Sequence, residues 1–198
     1  MEEYNFDKLY LASFYEIKIQ EASQWTNTIK NEKVEVTAKD GITLRGIEYI
    51  KDKQIDDWVI VLHGYRSNPE SVISVGMHFS EKGYNVLIPY MRATGEIEGE
   101  YIGMGWLDKE DLKCWIDLII EQNRNSNIIL HGSPMGAATV LMASGDTLPN
   151  NIKAIINVYF IHAEVDTKAT NIDNLSSLGK LLSNNFVPTQ QKNNLKAI

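Results

Sequence analysis

The stretch SNIILHGSPMGAATVLMASG, residues 126–145, decides the fold, because it joins two kinds of element through a sharp turn. Its beginning is a short apolar run, which is typical of a strand that is buried on both faces. Gly132, Ser133 and Pro134 interrupt that run. A longer segment rich in alanine and other apolar residues follows, and its length favours a helix. The stretch therefore predicts a buried strand, a tight turn and a helix.

The start of this helix can be predicted from two residue preferences. Serine is a preferred helix N-cap and proline a preferred first helical residue. We therefore expect Ser133 to be the N-cap and Pro134 to begin the helix. In this interpretation the Ser133 Oγ accepts a hydrogen bond from the backbone N–H of Met135 or Gly136.

The same alternation of buried strands and helices continues on both sides of this stretch. Such alternation is typical of a mostly parallel sheet that is covered by helices on both faces, which is an α/β fold. The predicted parallel strands are DWVIVL (57–62), NVLI (85–88), NIIL (127–130) and KAII (153–156), and the predicted intervening helices cover residues 69–82 and 106–124.

The remaining segments complete a single domain over residues 1–198. Residues 33–50 form two strand-like runs around a Lys-Asp-Gly turn, so we expect an antiparallel hairpin at one edge of the sheet. Residues 1–25 are predicted to be an N-terminal helical segment, because aromatic and aliphatic residues recur there at helical spacing. Residues 167–198 are rich in Asn, Ser, Thr and Lys, and we expect an irregular polar tail.

Charge and motif content exclude several classes of function. The net charge is −7 and Lys and Arg form no block, so a nucleic acid is not an expected partner. No apolar run is long enough to span a membrane, and the acidic beginning lacks a signal-peptide pattern, so we expect a cytoplasmic protein. Asp108, Glu110 and Asp111 are expected to complement the dipole of their helix and not to bind a metal. No motif indicates a metal or a cofactor.

Three segments together resemble the bacterial α/β-hydrolase family of serine esterases and peptidases. They are VIVLHGYRSN (59–68), GYNVLIPYMRATGEIEGEYIGMGWLDKEDL (83–112) and IILHGSPMGAATVLMASGDTLPNNIKAII (128–156). The resemblance covers about residues 33–157 and implies an α/β-hydrolase fold with a serine nucleophile in a G-x-S-x-G turn. It also implies an oxyanion hole that is formed by the backbone N–H groups of Tyr65 and Met135.

The G-x-S-x-G turn departs from the family pattern at its central position. Between Gly132 and Gly136 that position is Pro134, and Ser133 comes one residue early. The family serine has a strained backbone with positive φ, whereas the proline ring fixes φ near −65°. Ser133 is therefore the candidate nucleophile by resemblance, and its preference for a capping role competes with that chemistry.

The resemblance also indicates the acid and leaves the base open. Residues 158–166, VYFIHAEVD, resemble the family strand that ends in the catalytic aspartate, which makes Asp166 the candidate acid. No crossover separates this segment from KAII, so we predict one continuous strand over residues 153–162, with Asp166 just past its end. We then expect the lid and the last strand and helix of the family to be absent from this sequence. No histidine follows Asp166; the four histidines are His63, His78, His131 and His162.

Three hypotheses remain open from the sequence. The first is a serine hydrolase of carboxylic-ester or peptide type with an incomplete catalytic set, which would act on a small acyl substrate. The second is a non-catalytic homologue that binds a ligand or a partner in the same cleft. The third is a truncated, degenerate product. An exposed sheet edge would also favour homo-oligomers.

Overall fold

The structure, a computed structural model, describes residues 20–92, 94, 103–161 and 164–170, and it describes residues 158–161 and 164–170 through their backbone only. Most of the predicted N-terminal helical segment lies outside these residues. Its described end, residues 20–25, forms helix α1. Residues 171–198 of the predicted tail and the histidine His162 also lie outside the described part.

Within the described residues, a mixed sheet of seven strands forms the centre of the fold, in the order β1-β2-β4-β3-β5-β6-β7. Strands β4, β3, β5 and β6 are mutually parallel, as the sequence predicts, and the β1–β2 hairpin adds antiparallel strands beside β4. The strands are β1 Lys30–Thr37, β2 Thr43–Ile50, β3 Asp57–Leu62, β4 Asn85–Pro89, β5 Asn127–Gly132, β6 Ile152–Ile161 and β7 Glu164–Thr170.

Helices cover both faces of the sheet, because the central strands are apolar on both sides. Helix α3 (Asp108–Gln122) and helix α4 (Pro134–Ser144) pack on the face that carries Ile60. A 3-10 turn (Pro69–Val72) and helix α2 (Ile73–Glu81) pack on the opposite face. The predicted helices over 69–82 and 106–124 are thus confirmed. None of the described helices has the length and apolar character that a membrane crossing requires.

The end of the described chain is a hairpin. Strand β6 runs without interruption to Ile161, which confirms the predicted continuous strand. The chain then turns back, and β7 pairs with β6 in antiparallel orientation. Asp166 lies inside β7 opposite Tyr159, so the prediction that it lies just past the strand end is wrong. The predicted irregular tail is likewise wrong for residues 167–170, which belong to β7.

Candidate active site

Three loops meet at the carboxyl ends of the parallel strands, the edge where α/β proteins bind ligands. The loop after β5 is joined to β3, because the Ser133 N–H donates to the Leu62 carbonyl at 3.0 Å. The loop after β4 is joined to β3 through the Met91 N–H, which donates to His63 Nε2 at 3.1 Å. A Cβ added to Gly64 would lie 3.8 Å from Pro134, so the loops after β3 and β5 are neighbours.

Two glycines allow helix α4 to begin directly against the sheet. A Cβ on Gly136 would lie 2.6 Å from both the Cβ and the carbonyl oxygen of Leu62. A Cβ on Gly132 would overlap the backbone of Gly136 and Ala137. The glycine spacing of the G-x-S-x-G pattern therefore has a packing function here that does not depend on the residue between the glycines.

The turn between these glycines has a relaxed backbone. Ser133 is the N-cap with φ −79° and ψ 171°, and Pro134 is the first residue of α4, as predicted. The predicted side-chain cap is wrong, since Ser133 Oγ makes no capping hydrogen bond. The main chain of Ser133 is held instead, because its carbonyl accepts a hydrogen bond from the Ala137 N–H at 2.5 Å. The helix thus starts on backbone hydrogen bonds and leaves the hydroxyl uncommitted.

His63 has a structural role at this edge. Its Nε2 accepts from the Met91 N–H, so the neutral ring carries its proton on Nδ1 and donates to the Gly64 carbonyl at 3.0 Å. Burial lowers the pKa of His63, which keeps the imidazole neutral. Both ring nitrogens are occupied, and His63 is therefore not a base for Ser133.

The other described histidines are also separated from Ser133. His131 packs edge-on against Phe79 of α2, on the face of the sheet opposite α4, with 6.1 Å between ring centroids. Burial lowers its pKa to about 4, and its Nδ1 has no hydrogen-bond partner. His78 is exposed on α2. Among the described side chains, no hydrogen bond joins a histidine to Ser133.

The two predicted oxyanion donors lie in the loops that meet here. Tyr65 follows Gly64 and is 49% exposed, and the guanidinium carbon of Arg66 lies 5.3 Å from the centre of its ring. Met135 is buried in the first turn of α4. The structure therefore brings Tyr65, Ser133 and Met135 to one edge of the sheet. For Asp166, the other predicted residue, only the backbone in β7 is described.

Asn157 is a residue of this edge that the sequence analysis missed. It pairs with Gly132 across β5 and β6 and is 8% exposed. Its Oδ1 has no hydrogen-bond partner. A buried amide oxygen without a partner is costly, and it is a ready acceptor for a ligand donor. The sequence signal that could have identified Asn157 is its position as the polar residue directly after the apolar run KAII.

An ion-pair network that the sequence analysis also missed fixes the loop after β4; Arg92 and Asp111 are buried in it, and Asp40 is half exposed. The Arg92 guanidinium donates to both carboxyl oxygens of Asp111, at 2.5 and 2.7 Å, and to both of Asp40, at 2.5 and 3.1 Å. The hydrogen bond from Arg92 holds the pKa of Asp40 below its usual value. Asp111 therefore acts as an ion-pair partner and not only as a helix-dipole residue. The described residues contain no cluster of three metal-binding side chains.

Comparison of the sequence with known proteins finds a partial match. No protein-family profile matches the sequence. Over 88 residues the chain is 31% identical to the uncharacterized protein YqkD of Bacillus subtilis (strain 168), a match that covers 44% of this chain and 29% of YqkD.

Solved structures with similar folds include esterases. One structure of the Pyrococcus furiosus esterase Pf2001 is 28% identical, with a TM-score of 0.53 over 65% of this chain and 48% of the esterase. A structure of the same esterase in a second crystal form is 24% identical, with a TM-score of 0.59 over 83% of this chain and 65% of the esterase. XC6422 from Xanthomonas campestris, an α/β serine hydrolase without a lid, is 19% identical. Its TM-score is 0.52, over 58% of this chain and 56% of XC6422.

The chain spans less than two thirds of the length of each of these proteins. The sheet order, the strand–turn–helix at Gly132–Gly136 and the structural likeness to Pf2001 lead to one assignment. This chain therefore has the α/β-hydrolase fold.

Proposed function

We propose that this chain is a homologue of the serine esterases that binds a small acyl ligand at the carboxyl edge of its sheet and hydrolyses it little or not at all. One observation carries the proposal. Pro134 occupies the centre of the G-x-S-x-G turn and begins α4, and the preceding Ser133 has an ordinary extended backbone. The strained conformation that projects a nucleophilic serine is therefore replaced by a relaxed helix start.

The surroundings of Ser133 also favour low activity. A serine hydroxyl is a weak nucleophile unless an adjacent base removes its proton. His63 uses both ring nitrogens in backbone hydrogen bonds, and His131 faces the opposite side of the sheet. The loss of triad members reduces the rate by about 10⁴-fold or more in serine hydrolases.

Features that bind a carbonyl or carboxylate group are still expected at this edge. The first turn of α4 offers backbone N–H groups and the positive end of a helix dipole, both favourable for oxygen ligands with negative charge. The N–H of Tyr65 is the second predicted donor. The exposed Tyr65 ring and the exposed Pro134 supply apolar surface for the remainder of an acyl ligand.

A labelling experiment tests the catalytic half of the proposal. The purified chain is treated with a fluorophosphonate probe and assayed with p-nitrophenyl acetate, beside Ser133→Ala and Pro134→Ser. We expect no stoichiometric labelling and no hydrolysis above the Ser133→Ala background. Pro134→Ser alone is not expected to rescue activity, because the new apex serine still lacks a base.

A shifted nucleophile is the second candidate function, and one observation favours it. Ser133 is half-buried rather than fully enclosed, and its Oγ is free of the predicted capping bond. The base would then be His162, the residue that follows β6 in the sequence. Labelling of the natural chain that is lost in both Ser133→Ala and His162→Ala would establish this function and refute the first proposal.

The binding half is tested by calorimetry with octanoate as the probe. Tyr65→Pro removes one proposed N–H donor, and the matched control Tyr65→Ala keeps that N–H while it removes the ring. We expect saturable binding that Tyr65→Pro weakens about tenfold more than Tyr65→Ala, the loss typical of one hydrogen bond to a charged group. Absence of saturable heat in the natural chain, or equal loss in both variants, would contradict the proposed binding mode.

A further inference from the structure

Asp108, the first residue of α3, is a buried carboxyl group, and neither its expected interaction with the helix dipole nor the proposed function accounts for its burial. Its side chain is almost fully enclosed, with the residue 3% exposed. The Gly105 N–H donates to Asp108 Oδ2 at 2.7 Å, while Oδ1 has no hydrogen-bond partner. A Cβ on Gly103 would lie 2.5 Å from Oδ2, so the carboxyl group packs tightly against the backbone at Gly103, just before the helix.

The charged neighbours of Asp108 do not neutralise it. Asp111 lies one turn further along α3, and Arg92 reaches this region from the loop after β4. The hydrogen bonds of Arg92 go to Asp111 and to Asp40 of the β1–β2 turn. The Lys109 ammonium group forms its ion pair with Asp146, at 3.0 Å. The other titratable group around the small cavity beside Asp108 is Tyr90, and β3 contributes only Leu62 to its lining.

An ionised Asp108 would therefore be a buried anion beside a second carboxylate. Burial raises its pKa to about 6, although the hydrogen bond from Gly105 acts in the opposite direction. The cavity has a volume of about 10 Å³, close to the space of one water molecule. The neutral acid fits this environment better than the carboxylate does.

The segment that Asp108 holds, residues 103–107, lies directly against the helix of the candidate site. A Cβ on Gly105 would lie 3.3 Å from the Thr139 N and 3.2 Å from the Met142 Sδ, both in α4. Met104 has a φ of 47° and Gly105 a φ of 90°, so the segment is bent through the left-handed region. Such a conformation persists only where surrounding contacts hold it.

We propose that Asp108 is a proton-controlled clasp: its neutral carboxyl group holds residues 103–107 against α4, and loss of the proton to solvent releases that segment. The inference is independent of any activity at the site. It assigns a positioning role to Asp108 and makes the packing beside α4 dependent on pH.

Hydrogen exchange as a function of pH tests the clasp. The amides of Gly105, Trp106 and Lys109 donate to Asp108, Gly103 and Gly105. Because the enclosed carboxyl binds a proton more tightly than a released one, the protection factors of these amides should fall by roughly a hundredfold from pH 4 to 7. Amides in β3 should not follow this fall.

Two variants separate the clasp from a merely structural role. Asp108→Asn can still accept the Gly105 N–H but never ionises, so its protection factors should not change with pH. Asp117→Asn, an exposed change on the same helix, should behave as the natural chain does. A flat pH profile in the natural chain, or an unchanged slope in Asp108→Asn, overturns the proposal.

The natural chain alone provides a readout that does not need a folded variant. Titration of the Asp108 carboxyl carbon by NMR should give a midpoint near 6, whereas a midpoint near the ordinary 3.8 overturns the clasp.

Discussion

At the scale of single residues, the closest backbone approach in the site gives the clearest prediction. Gly136→Ala places a methyl group 2.6 Å from the backbone and side chain of Leu62, where neither partner is the flexible end of a side chain. Helix α4 must then move away from β3. We expect a loss of about 1–3 kcal/mol in the free energy of unfolding, the range for an overpacked core, measured by urea denaturation.

Gly64→Ala is the matched control for this change, because it lies at the same edge and carries the same added methyl group. The nearest atom to its Cβ is Pro134 Cδ at 3.8 Å, an ordinary contact. Its stability should stay close to that of the natural chain. An equal loss of unfolding free energy in both variants would show that the close approach of α4 to β3 is not the reason why residue 136 must be glycine.

At the scale of elements, Arg92 connects three parts of the fold: the loop after β4, helix α3 through Asp111, and the β1–β2 turn through Asp40. Arg92→Leu leaves Asp111, which is 6% exposed, as a buried carboxylate without its partner. Loss of one partner of a buried pair costs about 3–5 kcal/mol, and we expect the urea midpoint to fall accordingly.

An exposed ion pair provides the comparison for Arg92. Lys30 and Glu32 are similarly close, with 2.6 Å between Nζ and Oε1, but both side chains are half exposed on the edge strand β1. Lys30→Ala should leave the urea midpoint unchanged, because solvent screens such pairs. A loss for Lys30→Ala as large as that for Arg92→Leu would contradict the assignment of the stabilisation to burial.

The elements that the sequence predicts correctly are those whose signal is local. The apolar strands β3 to β6 and the helices α2 to α4 follow from periodicity, turn residues and the Ser-Pro helix start. Strand β7 was not predicted, because EVDTKAT is polar and its pairing with β6 is a tertiary contact. The burial of Asp108 and Asn157 and the side-chain orientation of Ser133 likewise depend on neighbours that are distant in the sequence.

At the scale of the whole molecule, two buried groups give stability opposite dependences on pH. The pKa of His131 is lowered from 6.5 to about 4, so its contribution is present above pH 6.5 and is lost as the pH falls to 4. The pKa of Asp108 is raised from 3.8 to about 6, so its contribution is present below pH 3.8 and is lost as the pH rises to 6. Each difference corresponds to about 3 kcal/mol, so the two nearly cancel between pH 4 and 6.

Single variants should separate these contributions in urea denaturation at several pH values. Asp108→Asn should lose stability more steeply than the natural chain as the pH falls from 6 to 4, because the His131 contribution is no longer opposed. His131→Leu should show the reverse trend. If the stability of the two variants changed with pH in the same way, His131 and Asp108 would not make opposite contributions to it.

The close contact of Gly132 and Gly136 with the sheet has a consequence for how such sequences are classified. These glycines are required by the geometry of the strand–turn–helix whether or not a reactive hydroxyl lies between them. A search that weights the glycine spacing therefore detects an architecture, and the residue at the centre of the turn carries the information about chemistry. Two chains can share every glycine of the motif and differ in whether they are enzymes at all.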